Sequence, residues 1–457
     1  MDHRPLPVIF FLLILVLGTG CTSPVPTAWN ASLTQTSSGT PTGGGSSNAL
    51  VTPEPSITAT PGDDLISFVN DAVVYSQRVG RAAALEEFAD PNGSFTRGDR
   101  CIVAFDYNGT NLAHPFHPEY AGQDMLSQTD AAGVRMIGDM RDAARNGSGF
   151  VAWQHENPAT GITEPGLSYV KRVDDTWWLG SGVVGYEVGI PQQSPDVVRQ
   201  VLFARVSHAV GFAREVGREA ANEAFNNISG PFAANGSYIF GFDMNGTTLA
   251  RGFQERVGGN AGDLTDMNGV SIGQRKIRLA QQGGGYFYYV YTDPVTGKPG
   301  FKVSYVEPVD PGWGVGAGTY LPGVPTVFTQ ERRDRIVQCV GEAVSYVRTN
   351  GREAAVREFN DPNGSFSDPE MFVFAFDRNG TLLANPFLPG IVGMNRLQDR
   401  DPYGEYPVPY IIDNAVGGGG FMYYFFADPS SDYRIRLKLA YSQMAGDDLV
   451  VGAGIFS

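Results

Sequence analysis

The chain has 457 residues, a formal net charge of −15 at pH 7 and a hydrophobic content of 42%. Proteins that bind nucleic acids need basic surfaces that displace counterions from phosphates, so this acidic balance argues against a nucleic-acid partner. A strongly acidic surface instead suits a protein that faces water or salt.

The N-terminal residues predict export, anchoring and a tether. The apolar stretch from Pro7 to Leu17 is too short to cross a bilayer, which needs about 20 residues, but it suits a signal peptide. The small residues before Cys21 resemble a lipobox, so residues 1–21 are predicted to be a lipoprotein signal peptide with lipidation at Cys21. An ordinary cleaved signal peptide with an incidental cysteine is the alternative. Residues 22–62, mainly Ser, Thr, Pro and Gly, predict a disordered tether.

These features together predict a location. We expect the chain on the extracytoplasmic face of a prokaryotic cell membrane, held there by its lipid anchor. If Cys21 is not lipidated, we expect a secreted protein. No later apolar run in the sequence is long enough to span a membrane.

One sequence pattern occurs three times. The three segments, which begin 137 and 134 residues apart, are Asp106-Tyr-Asn-Gly-Thr-Asn-Leu-Ala-His114, Asp243-Met-Asn-Gly-Thr-Thr-Leu-Ala-Arg251 and Asp377-Arg-Asn-Gly-Thr-Leu-Leu-Ala-Asn385. Solenoid repeats run about 20–50 residues, whereas this longer period is the size of a whole domain. We therefore predict three tandem copies of one domain, at residues 63–190, 195–323 and 330–457.

Each copy predicts the same elements in the same order. A long amphipathic helix comes first, at Leu65–Phe88, Val198–Phe225 and Ile336–Phe359. The Asn-Gly pair of the repeated pattern then predicts a tight hairpin. An Asp-x-x-Gly turn follows, and in the first two copies it leads into a short helix such as Met136–Ala144. Aromatic strands close each copy, so the predicted fold class is α+β with an antiparallel sheet.

The ordered set of these motifs resembles the single Cache domain, the extracellular PAS-like sensor module of prokaryotic chemoreceptors and sensor kinases. The similarity covers nearly all of residues 63–457 and rests on the long helix, the Asn-Gly-Thr-x-Leu-Ala pattern, the aromatic strands and a final Gly-x-Gly strand. The resemblance implies three tandem Cache domains, each with a long N-terminal helix and a five- to six-stranded antiparallel sheet. One face of such a sheet holds a small ligand, commonly a short carboxylate, an amino acid or an amine.

The sequence departs from the family in one respect. Family members usually lie between transmembrane helices and carry a signalling domain inside the cell, whereas this sequence stops at Ser457, on its last predicted strand. We therefore expect ligand occupancy to be read by a separate chemoreceptor, sensor kinase or transporter. The alternative is a structural or protein-interaction spacer of the cell envelope, because the copies differ at several positions.

The residue after Leu-Ala in the return strand is the first candidate for ligand contact. It is His114, Arg251 or Asn385 in the three copies. Such a residue is either a surface or cap residue, or a hydrogen-bond donor above the pocket. Arg251 would suit a carboxylate, which its guanidinium can bind through two parallel hydrogen bonds.

A lysine in the penultimate strand is the second candidate. Lys302 and Lys438 occupy this position, where the first copy has Gly166. Either each lysine extends to water or pairs with an acid, or it neutralises an anionic ligand. The first copy should therefore differ in ligand preference.

Aromatic residues and aspartates complete the candidates. The aromatic candidates lie on two neighbouring strands: Trp153, Tyr289, Tyr424, Tyr169, Tyr305 and Tyr441. Aromatic strand residues form either core or a ligand cage, and both interpretations hold together in mostly apolar pockets. Asp130, Asp266 and Asp401 could contact a ligand amine, although Asp-x-x-Gly is typical of a turn.

The sequence predicts no enzyme and no cofactor. It lacks the Gly-x-Ser-x-Gly, His-Glu-x-x-His and phosphate-loop patterns, and none of its five histidines recurs in all three copies. The expected partner is a small organic solute, and no metal site is predicted.

Overall fold

The computed structural model describes residues 61–98, 100–156, 163–184, 194–234, 237–251 and 257–457. The predicted signal peptide, Cys21 and nearly all of the predicted tether lie outside these residues. Within the described part of the chain, no helix combines the length and the apolar character needed to cross a membrane.

The described α-helices form three consecutive pairs, each a long helix followed by a short one, and three single short helices. They are α1 (Pro61–Val79), α2 (Arg81–Ala89), α3 (Met136–Arg145), α4 (Pro195–Val216), α5 (Arg218–Asn226), α6 (Gly273–Gln281), α7 (Gln330–Asn350), α8 (Arg352–Asn360) and α9 (Pro407–Val416). The strands are β1 (Thr96–Arg97), β2 (Arg100–Cys101), β3 (Val103–Asp106), β4 (Asn111–Ala113), β5 (Ser148–Glu156), β6 (Thr163–Arg172), β7 (Trp177–Val184), β8 (Ala233–Ala234), β9 (Ser237–Asp243), β10 (Thr248–Ala250), β11 (Gly285–Thr292), β12 (Pro299–Asp310), β13 (Trp313–Tyr320), β14 (Ser367–Asp368), β15 (Met371–Asp377), β16 (Leu382–Ala384), β17 (Gly420–Asp428), β18 (Arg434–Met444) and β19 (Leu449–Phe456).

Three antiparallel sheets repeat one strand order. The orders are β4-β3-β7-β6-β5, β10-β9-β13-β12-β11 and β16-β15-β19-β18-β17, and β8 and β14 add to the second and third sheets. We refer to α1–β7 as the first module, α4–β13 as the second and α7–β19 as the third. The sheets have five, six and six strands, as the resemblance implied. The Asn-Gly hairpins join β3 to β4, β9 to β10 and β15 to β16.

The single long helix predicted at the start of each copy is wrong, because the structure has two helices there. Gly80, Gly217 and Gly351 separate the pairs, with φ of 84°, 82° and 81° and ψ near 160°. Residues with a side chain rarely adopt this backbone conformation, so glycine is needed at the break. The third module also has a short helix, α9, that the sequence prediction omitted; it begins at Pro407, a favourable first helical residue.

Each sheet has one face covered by the paired N-terminal helices of the modules, called here the helix-covered face, and an opposite face. The cores on the helix-covered faces merge into one apolar cluster that runs through all three modules. The opposite faces instead hold three separate clusters, each beneath its own short helix α3, α6 or α9. The candidate sites lie on these opposite faces.

Candidate functional site

A cavity occupies the equivalent face of each module, but the three cavities differ greatly in size. The volumes are about 10 Å³ in the first module, 50 Å³ in the second and 390 Å³ in the third. A cavity needs about 10–15 Å³ of such volume to hold one water molecule. The first cavity therefore holds one water at most, and the third has room for an organic ligand.

A cross-strand pair between the edge strand and its neighbour sets the first module apart from the other two. Tyr289 lies opposite Lys302 and Tyr424 opposite Lys438, whereas Trp153 lies opposite Gly166. A Cβ atom added to Gly166 would lie 2.3 Å from the Trp153 ring. The indole thus occupies the space that a lysine would take, and its Nε1 donates to Ser168 at 3.0 Å. The aromatic candidate of the first module is a core residue that fills the pocket.

The second module has a small cationic cavity. Lys302 is buried, donates to the Tyr238 hydroxyl at 3.3 Å and lies 4.5 Å from the centre of that ring. Burial lowers the pKa of Lys302. Arg251 lines the cavity and stacks on Tyr291 at 5.3 Å, and Lys276, which sequence reasoning missed, also lines it. Burial, followed by the charge of Arg251, lowers the pKa of Lys276 to about 8.

The third module presents a lysine in a cage of phenylalanine rings. The Lys438 side chain is fully buried, and its Nζ atom has no hydrogen-bond partner in the described residues. The nitrogen lies 3.8 Å from the Phe372 ring centre and 5.0–5.9 Å from the ring centres of three more phenylalanines: Phe374, Phe426 and Phe456. Burial lowers the pKa of Lys438 to about 7, opposed by the charge of Asp428. Lys438 and Tyr424 both line the large cavity.

The other two return-strand candidates, Asn385 and His114, lie in different environments. Asn385 lines the third cavity, where its Oδ1 accepts hydrogen bonds from the backbone N–H groups of Phe387 and Leu388. His114 is buried, packs edge-on against Tyr120 and has a pKa lowered to about 4 by burial, so its ring is neutral. Asn385 therefore caps its own turn while it lines the cavity.

The strand tyrosines do not join the cavities. Tyr169, Tyr305 and Tyr441 belong to the core on the helix-covered face, opposite the face that carries Lys302 and Lys438. Tyr169, for example, packs on Phe150 at 5.0 Å. The structure therefore separates these tyrosines from the ligand candidates on the same strand.

The three aspartates hold turns together and reach into neighbouring modules. In each case Oδ1 accepts from the backbone N–H groups two and four residues ahead, and Oδ2 accepts from a backbone N–H of the edge strand at 2.9–3.1 Å. Asp130 lies 2.7 Å from Nε2 of His208, on α4 of the second module. Among these aspartates, only Asp401 also lines a described cavity.

The second and third modules exchange equivalent hydrogen bonds. Tyr288 of β11 donates to both oxygens of Asp401 at 2.8 Å, and Tyr423, at the same position of β17, donates to Asp266 at 2.9 Å. Burial raises the pKa of both carboxyl groups, that of Asp401 to about 6. Arg275 and Glu405 add a buried ion pair to this interface.

We expect Tyr288→Phe and Tyr423→Phe each to lower the free energy of unfolding by about 1.5–3 kcal/mol, because each removes a buried hydrogen bond to a carboxylate. Urea denaturation measures the loss. Tyr433→Phe is the matched control, since Tyr433 is 47% exposed and its loss should be within about 0.5 kcal/mol. Equal, small losses in all three variants would contradict the prediction.

Sequence reasoning also missed the polar rim of the third cavity. Arg396 pairs with Asp399, and Arg400 stacks on Tyr406 at 4.6 Å. The dense charge in residues 396–401 was a usable signal. A loop, however, has no periodicity from which to predict which way its side chains point.

Two kinds of ligand, an organic anion and a metal ion, can be compared with this geometry. The third cavity combines a buried amine with aromatic walls, which suits an organic anion. No group of three or more His, Cys, Asp or Glu side chains in the described ranges could hold a metal ion.

Family comparison divides the chain into two matches. A model described as Cache domain matches residues 85–324, and one described as Single Cache domain 2 matches residues 346–457. The first match spans both the first and second sheets. The models therefore group the sheets as two plus one, instead of the three single Cache domains predicted from the repeat.

Individual relatives resemble parts of the chain. The sensor histidine kinase MctS of Rhizobium johnstonii is 31% identical over 86 residues, which cover 19% of this chain and 19% of the kinase. Among solved structures, a methyl-accepting chemotaxis protein from Vibrio parahaemolyticus is 23% identical, with a TM-score of 0.24 and coverage of 26% of this chain and 86% of that one. The ligand-binding domain of the Pseudomonas fluorescens chemoreceptor CtaA is 11% identical, with a TM-score of 0.21 and coverage of 56% and 82%.

Proposed function

The chain belongs to the Cache family of extracytoplasmic sensor domains, and we propose that it senses a small organic anion bound in the cavity of its third module. One observation carries this proposal: the buried Lys438 amine has no hydrogen-bond partner in the described part of the chain, and it borders a cavity of about 390 Å³. A buried polar group without a partner is costly. A carboxylate that accepts from Nζ removes this cost.

We assign different roles to the three modules. In the third, Lys438 binds the carboxylate, while Tyr424 and Asn385 form the wall. In the second, Arg251, Lys276 and Tyr289 line a smaller site for a compact anion, and Lys302 lies behind the Tyr238 and Tyr289 rings of that site. The first module is a structural unit, since Trp153 fills its pocket. The spacer function therefore applies to one module and not to the whole chain.

The proposal includes a place in the cell and a partner. The lipobox at Cys21 supports a lipid anchor, with residues 22–62 as the tether and the three modules, within residues 63–190, 195–323 and 330–457, outside the cytoplasm. A separate chemoreceptor, sensor kinase or transporter would read the occupancy. Cys21→Ser should release the protein from membranes in cell fractionation; retention on the membrane would contradict the lipid anchor.

A thermal-shift screen of short carboxylates, amino acids and amines tests the binding function. A ligand at 100 times its Kd stabilises the bound state by about 2.7 kcal/mol. Lys438→Met should weaken binding of the responding carboxylate by about 1.5–3 kcal/mol, the scale of a hydrogen bond to a charged group. Lys298→Met, at an exposed turn outside the described cavities, is the control and should bind it normally. A flat response to every class would overturn the proposed function.

Affinity for a carboxylate should fall as the pH rises above about 7. The free-state pKa of Lys438 is about 7, so at higher pH the ligand must bind together with a proton taken from solution. The dissociation constant should then increase up to tenfold per pH unit until the higher pKa of the bound amine is passed. Calorimetry at pH 6.5, 7.5 and 8.5 measures this change. Lys438→Arg stays protonated and should bind without the pH dependence; equal slopes in both proteins would contradict the assignment.

A further inference from the structure

We infer that the third module selects a carboxylate with an apolar body larger than acetate and without an ammonium group. This inference rests on the proposed function and names the ligand class of the same cavity. The cavity brings together a buried amine without a hydrogen-bond partner among the described residues, aromatic walls, and acids that already accept hydrogen bonds.

The cation determines where the carboxylate lies. Lys438 extends from β18 into a ring of phenylalanines, and no acceptor among the described residues reaches its Nζ atom. Asp428, whose charge acts on Lys438, already pairs with Arg436. The ligand must therefore supply the acceptor at this end of the cavity.

The acids of the cavity cannot serve an ammonium group in the same way. Asp399 is paired with Arg396. Asp401 accepts from Tyr288 and from the backbone N–H groups of Tyr403, Glu405 and Phe425. An amino acid would therefore place its ammonium group against apolar walls with no free anion, which costs free energy.

The walls determine the ligand's body. Half of the lining residues are phenylalanine, leucine, isoleucine or valine, including Phe374, Leu382, Val408 and Ile411. A branched or aromatic body gains about 25 cal/mol for each Å² that it removes from water. Acetate would leave most of the 390 Å³ unfilled. Arg400 lies at the exposed rim, stacked on Tyr406, where it leaves the interior apolar.

Calorimetry on the full chain with matched ligands tests this selectivity. The pairs are 4-methylpentanoate with leucine and 3-phenylpropanoate with phenylalanine, each differing only in the α-amino group, and acetate is the size control. At least one amine-free acid should bind tenfold or more tightly than both its amino-acid partner and acetate. Lys438→Met should lose at least tenfold in affinity for it, and Lys298→Met, at an exposed turn outside the described cavities, should not change it.

The outcomes separate this inference from the proposed function. Leucine or phenylalanine binding as tightly as its amine-free partner, or acetate binding most tightly, would overturn the selectivity and leave anion binding intact. No heat with any acid would overturn the proposed function itself. Tight binding that Lys438→Met leaves unchanged would overturn the site for both. Circular dichroism confirms that the Met variant is folded, which we expect because it removes an unpartnered buried amine.

Discussion

Replacing Arg275 with methionine is expected to lower the free energy of unfolding by about 3–5 kcal/mol, because a buried ion pair that loses one partner leaves the other charge uncompensated. The pair joins α6 of the second module to Glu405 of the third, and the two side chains are 3% and 1% exposed. Urea denaturation at pH 8 measures the loss. Burial raises the pKa of Glu405 to about 7. Loss of the Arg275 charge raises this pKa further, so the stability loss should grow as the pH rises above about 7.

Two variants serve as controls for this prediction. Arg352 pairs with Asp448 at the surface, with side chains 46% and 50% exposed, so Arg352→Met should cost at most about 1 kcal/mol. The double variant Arg275→Met/Glu405→Leu removes both charges and should recover most of the stability. A loss in Arg275→Met no larger than that in Arg352→Met would show that the buried pair is not a stability determinant.

Trp153→Ala should lower the free energy of unfolding by about 3–5 kcal/mol, because it removes a buried indole and leaves a cavity in the first module. The side chain is 1% exposed and covers Gly166. Chemical denaturation of the variant measures the loss. Phe203→Ala, at a residue that is 49% exposed, is the control and should stay within about 1 kcal/mol. A loss below 1 kcal/mol for Trp153→Ala would mean that the indole does not fill the pocket.

The parts of the fold that depend on residues close together in the sequence were predictable from it. The hairpins follow from Asn-Gly between β-prone segments, and both the α+β class and the antiparallel sheets are confirmed. The break at Gly80 was missed because the hydrophobic period continues across it. An isolated glycine in a helical pattern is usually tolerated, so its positive φ cannot be read from the pattern alone.

The candidate site was predicted unevenly for a geometric reason. Lys302 and Tyr305 are three positions apart on one strand, and side chains alternate between faces with a period of two. The lysine and the tyrosine therefore cannot both face one cavity, and this rule applies equally to Lys438 and Tyr441. The roles of Asp266 and Asp401 were not predictable, because their partners lie 157 and 113 residues away in sequence.

The exchange of equivalent Tyr–Asp contacts between the second and third modules resembles the self-complementary face of a twofold homodimer. Here both halves belong to one polypeptide, so dilution cannot separate them and their effective concentration is set by the linker. A homodimer must also carry the same pocket twice. A fused pair is free of that constraint, and in this chain the two halves have cavities of about 50 and 390 Å³. Covalent fusion thus lets a symmetric contact join two modules whose cavities differ in size.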